Sequence, residues 1–216
     1  MCIRDSNKPV KVKVNPAMVL LDFIRKQKKL SGTKEVCKEG DCGACVVLLG
    51  ESFNDNIRYK TINSCIFPIK KVSGKHIVTI EGLNQPQLTP IQKAFLIEGA
   101  SQCGFCTPGF IVSFTGYLLN TKFFNQEDAI NAIAGNICRC TGYHSIIRAI
   151  KNTLKQSTNI NFSFLIENHF IPPFFQNIPQ MLKSISIETN EAKRKNTDPN
   201  FRRVLAKMQR DIFSNN

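Results

Sequence analysis

Eight of the nine cysteines in this chain of 216 residues fall into two groups of four. The first cysteine group has a C-x4-C-x2-C pattern with a distant fourth member and consists of Cys37, Cys42, Cys45 and Cys65. The second cysteine group has a C-x2-C pair and, after residues 107–137, a C-x-C pair; it consists of Cys103, Cys106, Cys138 and Cys140. In a reducing compartment, such regular spacings indicate metal ligation or catalysis rather than a disulfide framework.

Composition limits the classes of protein to be considered. The first residues, MCIRDSNKPVKV, lack the apolar core of a signal peptide, and no run approaches the roughly 18 apolar residues of a membrane span. We therefore expect a cytoplasmic protein without a membrane partner. Hydrophobic residues make up 42% of the chain, which is enough for folded cores. The net charge of +13 is scattered rather than interleaved with aromatic residues, so no nucleic-acid partner is expected.

The first cysteine group lies in a β-rich segment, residues 7–82. Its spacing is that of plant-type [2Fe–2S] ferredoxins. Valines alternate with lysines over residues 10–14, as in a strand, and apolar positions over 20–24 have helical spacing. The stretches ACVVLLG and KHIVTIEG predict further strands. In the loop CKEGDCGAC, Gly40 and Gly43 would let backbone amides wrap an anionic cluster.

The second cysteine group lies in a segment with a helical pattern. The predicted helices span residues 90–98, 108–120, 126–134 and 143–155. Thr89 and Thr107 each precede a proline at a first helical position, and Asn125 is a suitable cap for the third helix. Cys106 and Cys140 precede the second and fourth helices, whose unpaired N-terminal amides suit a negatively charged cluster. Two helices directed at one cluster predict a compact four-helix bundle.

The residues alone leave other uses of the second cysteine group open. A structural zinc site also takes four cysteines, although such sites usually combine two C-x2-C or C-x4-C knuckles and not a C-x-C pair. A thiol–disulfide couple at Cys103 and Cys106 would be expected in a βαβ context, whereas the flanking sequence is helical. No ligand is expected among the three isolated histidines, which are His76, His144 and His169.

Four segments resemble the iron–sulfur portion of the xanthine dehydrogenase and aldehyde oxidase family of molybdenum hydroxylases: EGDCGAC, NSCIFPI, ASQCGFCTPGF and GNICRCTGY. The resemblance covers roughly residues 7–155 and includes all eight cysteines in order. It implies an α+β fold with an N-terminal β-grasp, plant-type ferredoxin-like [2Fe–2S] domain and an α-helical four-helix-bundle [2Fe–2S] domain. The predicted ranges are 1–84 and 85–156 for these domains, 157–187 for a Phe/Pro-rich connector and 188–216 for a basic tail of disordered character.

The resemblance also implies roles for the two cysteine groups. In this family, electrons pass from a molybdenum–pterin centre through two clusters to FAD. The second group would ligate the cluster next to the pterin, with Cys140 close to it, and the first group would ligate the cluster toward the flavin. Gln102 matches a family glutamine that contacts the pterin, although an ordinary polar residue at a helix end would look the same.

These observations predict an electron-transfer iron–sulfur subunit or domain of a xanthine dehydrogenase-like oxidoreductase, with two [2Fe–2S] clusters and no catalytic residue of its own. Molybdopterin would be bound by a large partner subunit. FAD would be bound by another subunit or domain, or the chain is a fragment of a longer protein. The rival interpretations are a freestanding two-cluster ferredoxin-like carrier and a zinc-stabilised binding module.

Overall fold

The computed structural model describes residues 2–4, 10, 14–54, 56–155 and 158–184 and has mixed helix and sheet. Among these residues, four strands form one sheet in the order β1-β4-β2-β3. The strands are β1 (Cys2–Arg4), β2 (Val46–Phe53), β3 (Asn56–Asn63) and β4 (His76–Val78). Strand β2 pairs antiparallel with both β3 and β4, while β1 runs parallel to β4.

Strand β2 is covered on both faces, which explains its unbroken apolar sequence VVLLG. Because successive side chains of a strand point to opposite faces, its residues enter two different cores. Val47 and Leu49 pack with the segment 20–24, whereas Val46 and Leu48 pack with the C-terminal helices. The sheet therefore lies between the N-terminal helical segment and the helical part of the chain.

The N-terminal helical segment begins as α1 (Leu20–Asp22) and continues as a π-helical turn, Phe23–Gln27. Its apolar residues are buried, as the helical spacing predicts. The strand predicted over residues 10–14 is not seen at its ends: Val10 and Val14 lie outside any strand. Residues 11–13 lie outside the described residues.

Four helices follow the sheet: α2 (Pro90–Ile97), α3 (Thr107–Leu118), α4 (Gln126–Ala132) and α5 (His144–Thr153). Their ends differ from the predicted ends by at most two residues. Thr89 caps α2 in a capping box, and Asn125 caps α4, as predicted. The prediction of Thr107 as the cap of α3 is wrong. Cys106 occupies the N-cap, and the Thr107 hydroxyl donates to Ser101 Oγ instead (3.0 Å).

Helix α3 packs directly on the sheet. A Cβ atom at Gly116 would lie 2.9 Å from both Leu48 Cδ2 and Thr61 Cγ2, so the glycine permits this close approach. Phe110 and Phe114 of the same helix are fully buried in the core that the helices share with β2. The β-rich and helical parts are thus joined by a common core.

The described part of the predicted connector, residues 158–184, packs on the sheet. It contains α6 (Phe162–Glu167), a 3-10 turn (Pro173–Asn177) and a helical stretch over 178–184. The ring of Phe175 is buried, with its centroid 5.6 Å from those of Tyr59 and His76. His76 is itself buried, and its Nδ1 lies 2.8 Å from the Tyr59 hydroxyl. His76 is therefore a packing residue.

Candidate metal centres

The first cysteine group is assembled by the hairpin of β2 and β3. Cys45 immediately precedes β2, and Cys65 lies just beyond the end of β3. The antiparallel register brings these two ends together, and both the amide and the hydroxyl of Ser64 donate to the Cys45 carbonyl oxygen. As a result, the thiols of Cys45 and Cys65 contact each other, and both side chains are buried.

The loop before β2 supplies the other two thiols of the first group. Cys37 and Cys42 contact each other through their side chains. Between and after them the backbone takes left-handed conformations, with φ of 92° at Gly40 and 69° at Gly43. A Cβ at Gly40 would also lie 2.8 Å from Ile66 Cδ1, the end of a side chain that can move, so the left-handed backbone is the main reason for glycine here.

The loop and the hairpin give the thiols of the first group different acidities. The backbone amides of Glu39 and Cys42 hydrogen-bond to the sulfur of Cys37 and lower its pKa to about 6. Burial instead raises the pKa of Cys65 to about 12. Burial also raises the pKa of Cys42. Amides directed at a sulfur stabilise negative charge, so the loop has the chemistry of an anion-binding nest.

The second cysteine group lies in two connections between helices. Cys103 and Cys106 occupy the connection between α2 and α3, while Cys138 and Cys140 occupy the connection between α4 and α5. The sulfur of Cys140 lies 3.6 Å from that of Cys103, and the side chains of Cys106 and Cys138 also contact each other. The Cys106 thiol is at the N-terminus of α3, as predicted.

Cys140 precedes the fourth helix, as predicted, but three residues separate the thiol from the start of that helix. Helix α5 begins at His144, and its N-cap is Tyr143. The intervening Gly142 and Tyr143 both have left-handed backbone conformations, with φ of 60° and 68°. This turn carries the chain away from the thiol before the helix starts.

Two residues that sequence reasoning missed hold Cys138 in place. The Thr141 hydroxyl lies 3.2 Å from Cys138 Sγ, and the Cys138 amide donates to the Tyr143 hydroxyl (3.0 Å). Burial opposes ionisation of Cys138, but the Thr141 hydroxyl and nearby backbone amides bring its pKa below the usual value. Burial and the contact with Cys138 raise the pKa of Cys106 to about 12. Hydroxyl residues directly after a C-x-C pair are the sequence signal for such contacts.

Each cysteine group consists of two thiol pairs rather than a single cage. In the part of the chain that the structure describes, no three His, Cys, Asp or Glu side chains converge closely enough to hold one metal ion. A [2Fe–2S] cluster is ligated by four cysteines, two on each iron. The paired thiols and the amide-lined loop fit that donor set.

The two groups differ in exposure. Cys45, Cys65 and Cys138 are buried, whereas Cys103 and Cys140 are exposed. Gln102 is also exposed and lies in the bend directly before Cys103. An apolar cavity of about 210 Å³ is lined by Val36, Phe105, Ile137 and cysteines of both groups.

Comparison with protein families agrees with a division of the chain into two parts, each with one cysteine group. Residues 3–70 match the "2Fe-2S iron-sulfur cluster binding domain" family, and residues 79–151 match the "[2Fe-2S] binding domain" family. The chain is thus a protein with two successive [2Fe–2S]-binding domains. No helix among its described residues has the length and apolar character needed to span a membrane.

Individual relatives identify the family more narrowly. The chain is 44% identical over 141 residues to a xanthine dehydrogenase of Blastobotrys adeninivorans, an alignment that covers 62% of this chain and 10% of that protein. It is 37% identical over 157 residues to aldehyde oxidase 1 of Rattus norvegicus, which covers 71% and 12%. The chain therefore spans only about a tenth of the length of these curated relatives.

Solved structures support the same relationship. Quinoline 2-oxidoreductase from Pseudomonas putida 86 matches with 35% identity and a TM-score of 0.56, over 64% of this chain and 82% of that one. The aldehyde oxidoreductase from Desulfovibrio gigas matches with 37% identity and a TM-score of 0.61, over 70% and 16%. This chain belongs to the xanthine dehydrogenase and aldehyde oxidase family of molybdenum hydroxylases and corresponds to its iron–sulfur portion.

Proposed function

We propose that this chain is the electron-transfer iron–sulfur component of a xanthine dehydrogenase-like molybdenum hydroxylase. The observation that carries the proposal is the arrangement of eight cysteines as two neighbouring sites, each made of two thiol pairs. When bound, two [2Fe–2S] clusters would supply one-electron redox chemistry between a molybdopterin centre and FAD. The chain itself holds the clusters and contributes no substrate site.

The observed thiol contacts support a specific distribution of ligands. A pair of thiols in contact is suited to share one iron. We assign the irons of the first site to Cys37 with Cys42 and to Cys45 with Cys65. Those of the second site are assigned to Cys103 with Cys140 and to Cys106 with Cys138.

The proposed partners follow from the exposure of the second site. Because Cys103 and Cys140 face solvent beside Gln102, this end of the molecule is suited to meet a molybdopterin-binding large subunit. Gln102 is then proposed to contact the pterin. FAD would be bound by a further subunit or domain on the side of the first site, and the assembly would be cytoplasmic.

The finer fold assignment belongs to the same proposal. The sheet, with β1 parallel to β4 and the cysteine loop before β2, supports a β-grasp, ferredoxin-like domain. Helices α2 to α5 contact one another in the pairs α2–α5, α3–α4, α4–α5 and α2–α3, which supports a four-helix bundle.

Metal analysis of anaerobically purified protein tests the proposal. Two [2Fe–2S] clusters contain four irons and four sulfides per chain. Zinc without sulfide would contradict the proposal. Reduced protein should give two distinguishable paramagnetic signals; Cys138→Ser should remove one and Cys65→Ser the other. If both signals persist unchanged in either variant, the ligand grouping is wrong.

A further inference from the structure

The segment that carries Cys138 is hydrogen-bonded directly to the loop of the first site. The amide of Ile137 donates to the carbonyl oxygen of Cys42 (3.0 Å). The side-chain amide of Asn136 donates to the carbonyl oxygen of Gly43, also at 3.0 Å. Cys42 is a proposed ligand of the first site, and Ile137 immediately precedes Cys138, a proposed ligand of the second. A single backbone hydrogen bond therefore joins the two segments that carry these ligands.

The Asn136 bond is not needed to satisfy the Gly43 carbonyl. That oxygen already accepts the amide of Val46 within its own loop (3.2 Å). Asn136 is only 4% exposed, and a buried side-chain amide is costly to bury without an acceptor. The residue is therefore a polar group placed at the contact between two segments, where its bond ties one to the other.

The segments at this contact are so closely packed that two glycines have no room for a side chain. A Cβ at Gly43 would lie 2.5 Å from the Gly135 carbonyl oxygen and 2.9 Å from Asn136 Cα. A Cβ at Gly109, in the first turn of α3, would lie 2.9 Å from Asn136 Nδ2. Three backbone segments, one following Cys42, one following Cys106 and one preceding Cys138, thus meet around the Asn136 side chain.

We propose that Asn136 is a positioning residue that fixes the separation of the two metal sites. Its side chain holds the loop of the first site against the segment that carries Cys138 of the second, which also protects the bond between Ile137 and Cys42. Electron tunnelling weakens exponentially with distance, so a fixed separation sets the rate at which the sites exchange electrons. This inference rests on the proposed function, since it requires both sites to be occupied by clusters.

The test is a spectroscopic measurement of the separation in the full chain with both clusters. In dithionite-reduced protein, the two paramagnetic clusters interact magnetically, and the low-temperature splitting falls with the cube of their distance. Asn136→Leu keeps the branched shape but removes the donor, and Asn136→Ala removes it with less crowding. The matched control is Asn120→Leu, because Asn120 Nδ2 also joins the helical part to the sheet, at the Tyr59 carbonyl (2.8 Å), but away from both sites.

In both Asn136 variants we expect a smaller splitting or broader split lines, while each cluster's own signal is retained. In Asn120→Leu we expect the wild-type splitting. Wild-type splitting in the Asn136 variants would overturn the proposal. A second readout covers variants that lose a cluster: hydrogen exchange at the Ile137 amide should accelerate relative to Asn120→Leu, and unchanged exchange would equally overturn it. Wild-type protein that contains no iron would instead refute the proposed function, and this inference with it.

Discussion

Replacing Thr141 with valine should lower the reduction potential of the second site. The Thr141 hydroxyl lies 3.2 Å from Cys138 Sγ and accepts the amide of Tyr143 (3.2 Å). A thiolate has no proton to donate, so the hydroxyl would be the donor when Cys138 ligates iron. A hydroxyl that donates to a ligand sulfur stabilises the more negative, reduced state. Valine has nearly the same shape and cannot donate, so the substitution isolates this bond.

The expected shift follows from the strength of such a bond. A hydrogen bond to a charged group contributes roughly 1.5–3 kcal/mol. The bond is present in both oxidation states, and only the additional strength that it acquires on reduction changes the potential. If the bond becomes stronger by about a third, this additional strength is about 0.5–1 kcal/mol. Since about 1.4 kcal/mol corresponds to about 59 mV for a one-electron couple, we expect a decrease of roughly 20–40 mV. Burial of Cys138 favours the upper part of this range because a low local dielectric strengthens the bond.

An anaerobic redox titration followed by the two paramagnetic signals provides the assay. Thr141→Ser retains the hydroxyl and should keep the wild-type potential. Thr107→Val is the matched control, because the Thr107 hydroxyl lies near the same site but donates to Ser101. The reasoning is refuted if Thr141→Val shifts the potential no more than Thr107→Val, shifts it upward, or changes the signal that Cys65→Ser removes.

Two further predictions concern stability and thiol chemistry. Phe175→Ala should destabilise the protein by about 3–5 kcal/mol because the ring is fully buried. The exposed Phe53→Ala should change stability by less than about 0.5 kcal/mol; equal urea midpoints for the two variants would show that residues 158–184 do not pack as described. In iron-free protein, Cys37, whose pKa is lowered to about 6, should react with iodoacetamide at a rate that rises through pH 6, because the thiolate is the nucleophile. Cys65 and Cys106, whose pKa values are raised to about 12, should stay largely unmodified at about pH 8; labelling of all three at equal rates, measured by mass spectrometry, would contradict this order.

Local sequence signals predicted the helical part well. Helices α2 and α4 begin where the side chains of Thr89 and Asn125 cap them, and such caps depend only on residues two or three positions away. The grouping of cysteines by spacing agrees with the contacts among the thiols, since the pairs never cross between groups. Strand β3 was not predicted, because its sequence NIRYKTIN lacks a continuous apolar run; only one of its eight residues is buried.

Other features were decided by contacts that the local cap and linker patterns do not indicate. Thr107 has the sequence of a cap, yet its hydroxyl binds Ser101, and Cys106 takes the N-cap. The Phe- and Pro-rich stretch is predicted to be a connector, but Phe175 is buried beside Tyr59 and His76. Ser101 lies six residues before Thr107, beyond the reach of a helix cap, and Phe175 contacts residues about 100 positions away.

The sequence by itself determined the number of thiols, their division into two groups and the helices that flank the second group. Only the tertiary structure decided how the two sites relate. Asn136 and Gly43 lie in separate domains by sequence, and nothing in their local patterns connects them. Cysteine spacing is set by short segments that wrap one metal site, whereas the separation of two sites depends on the common core that packs α3 against β2.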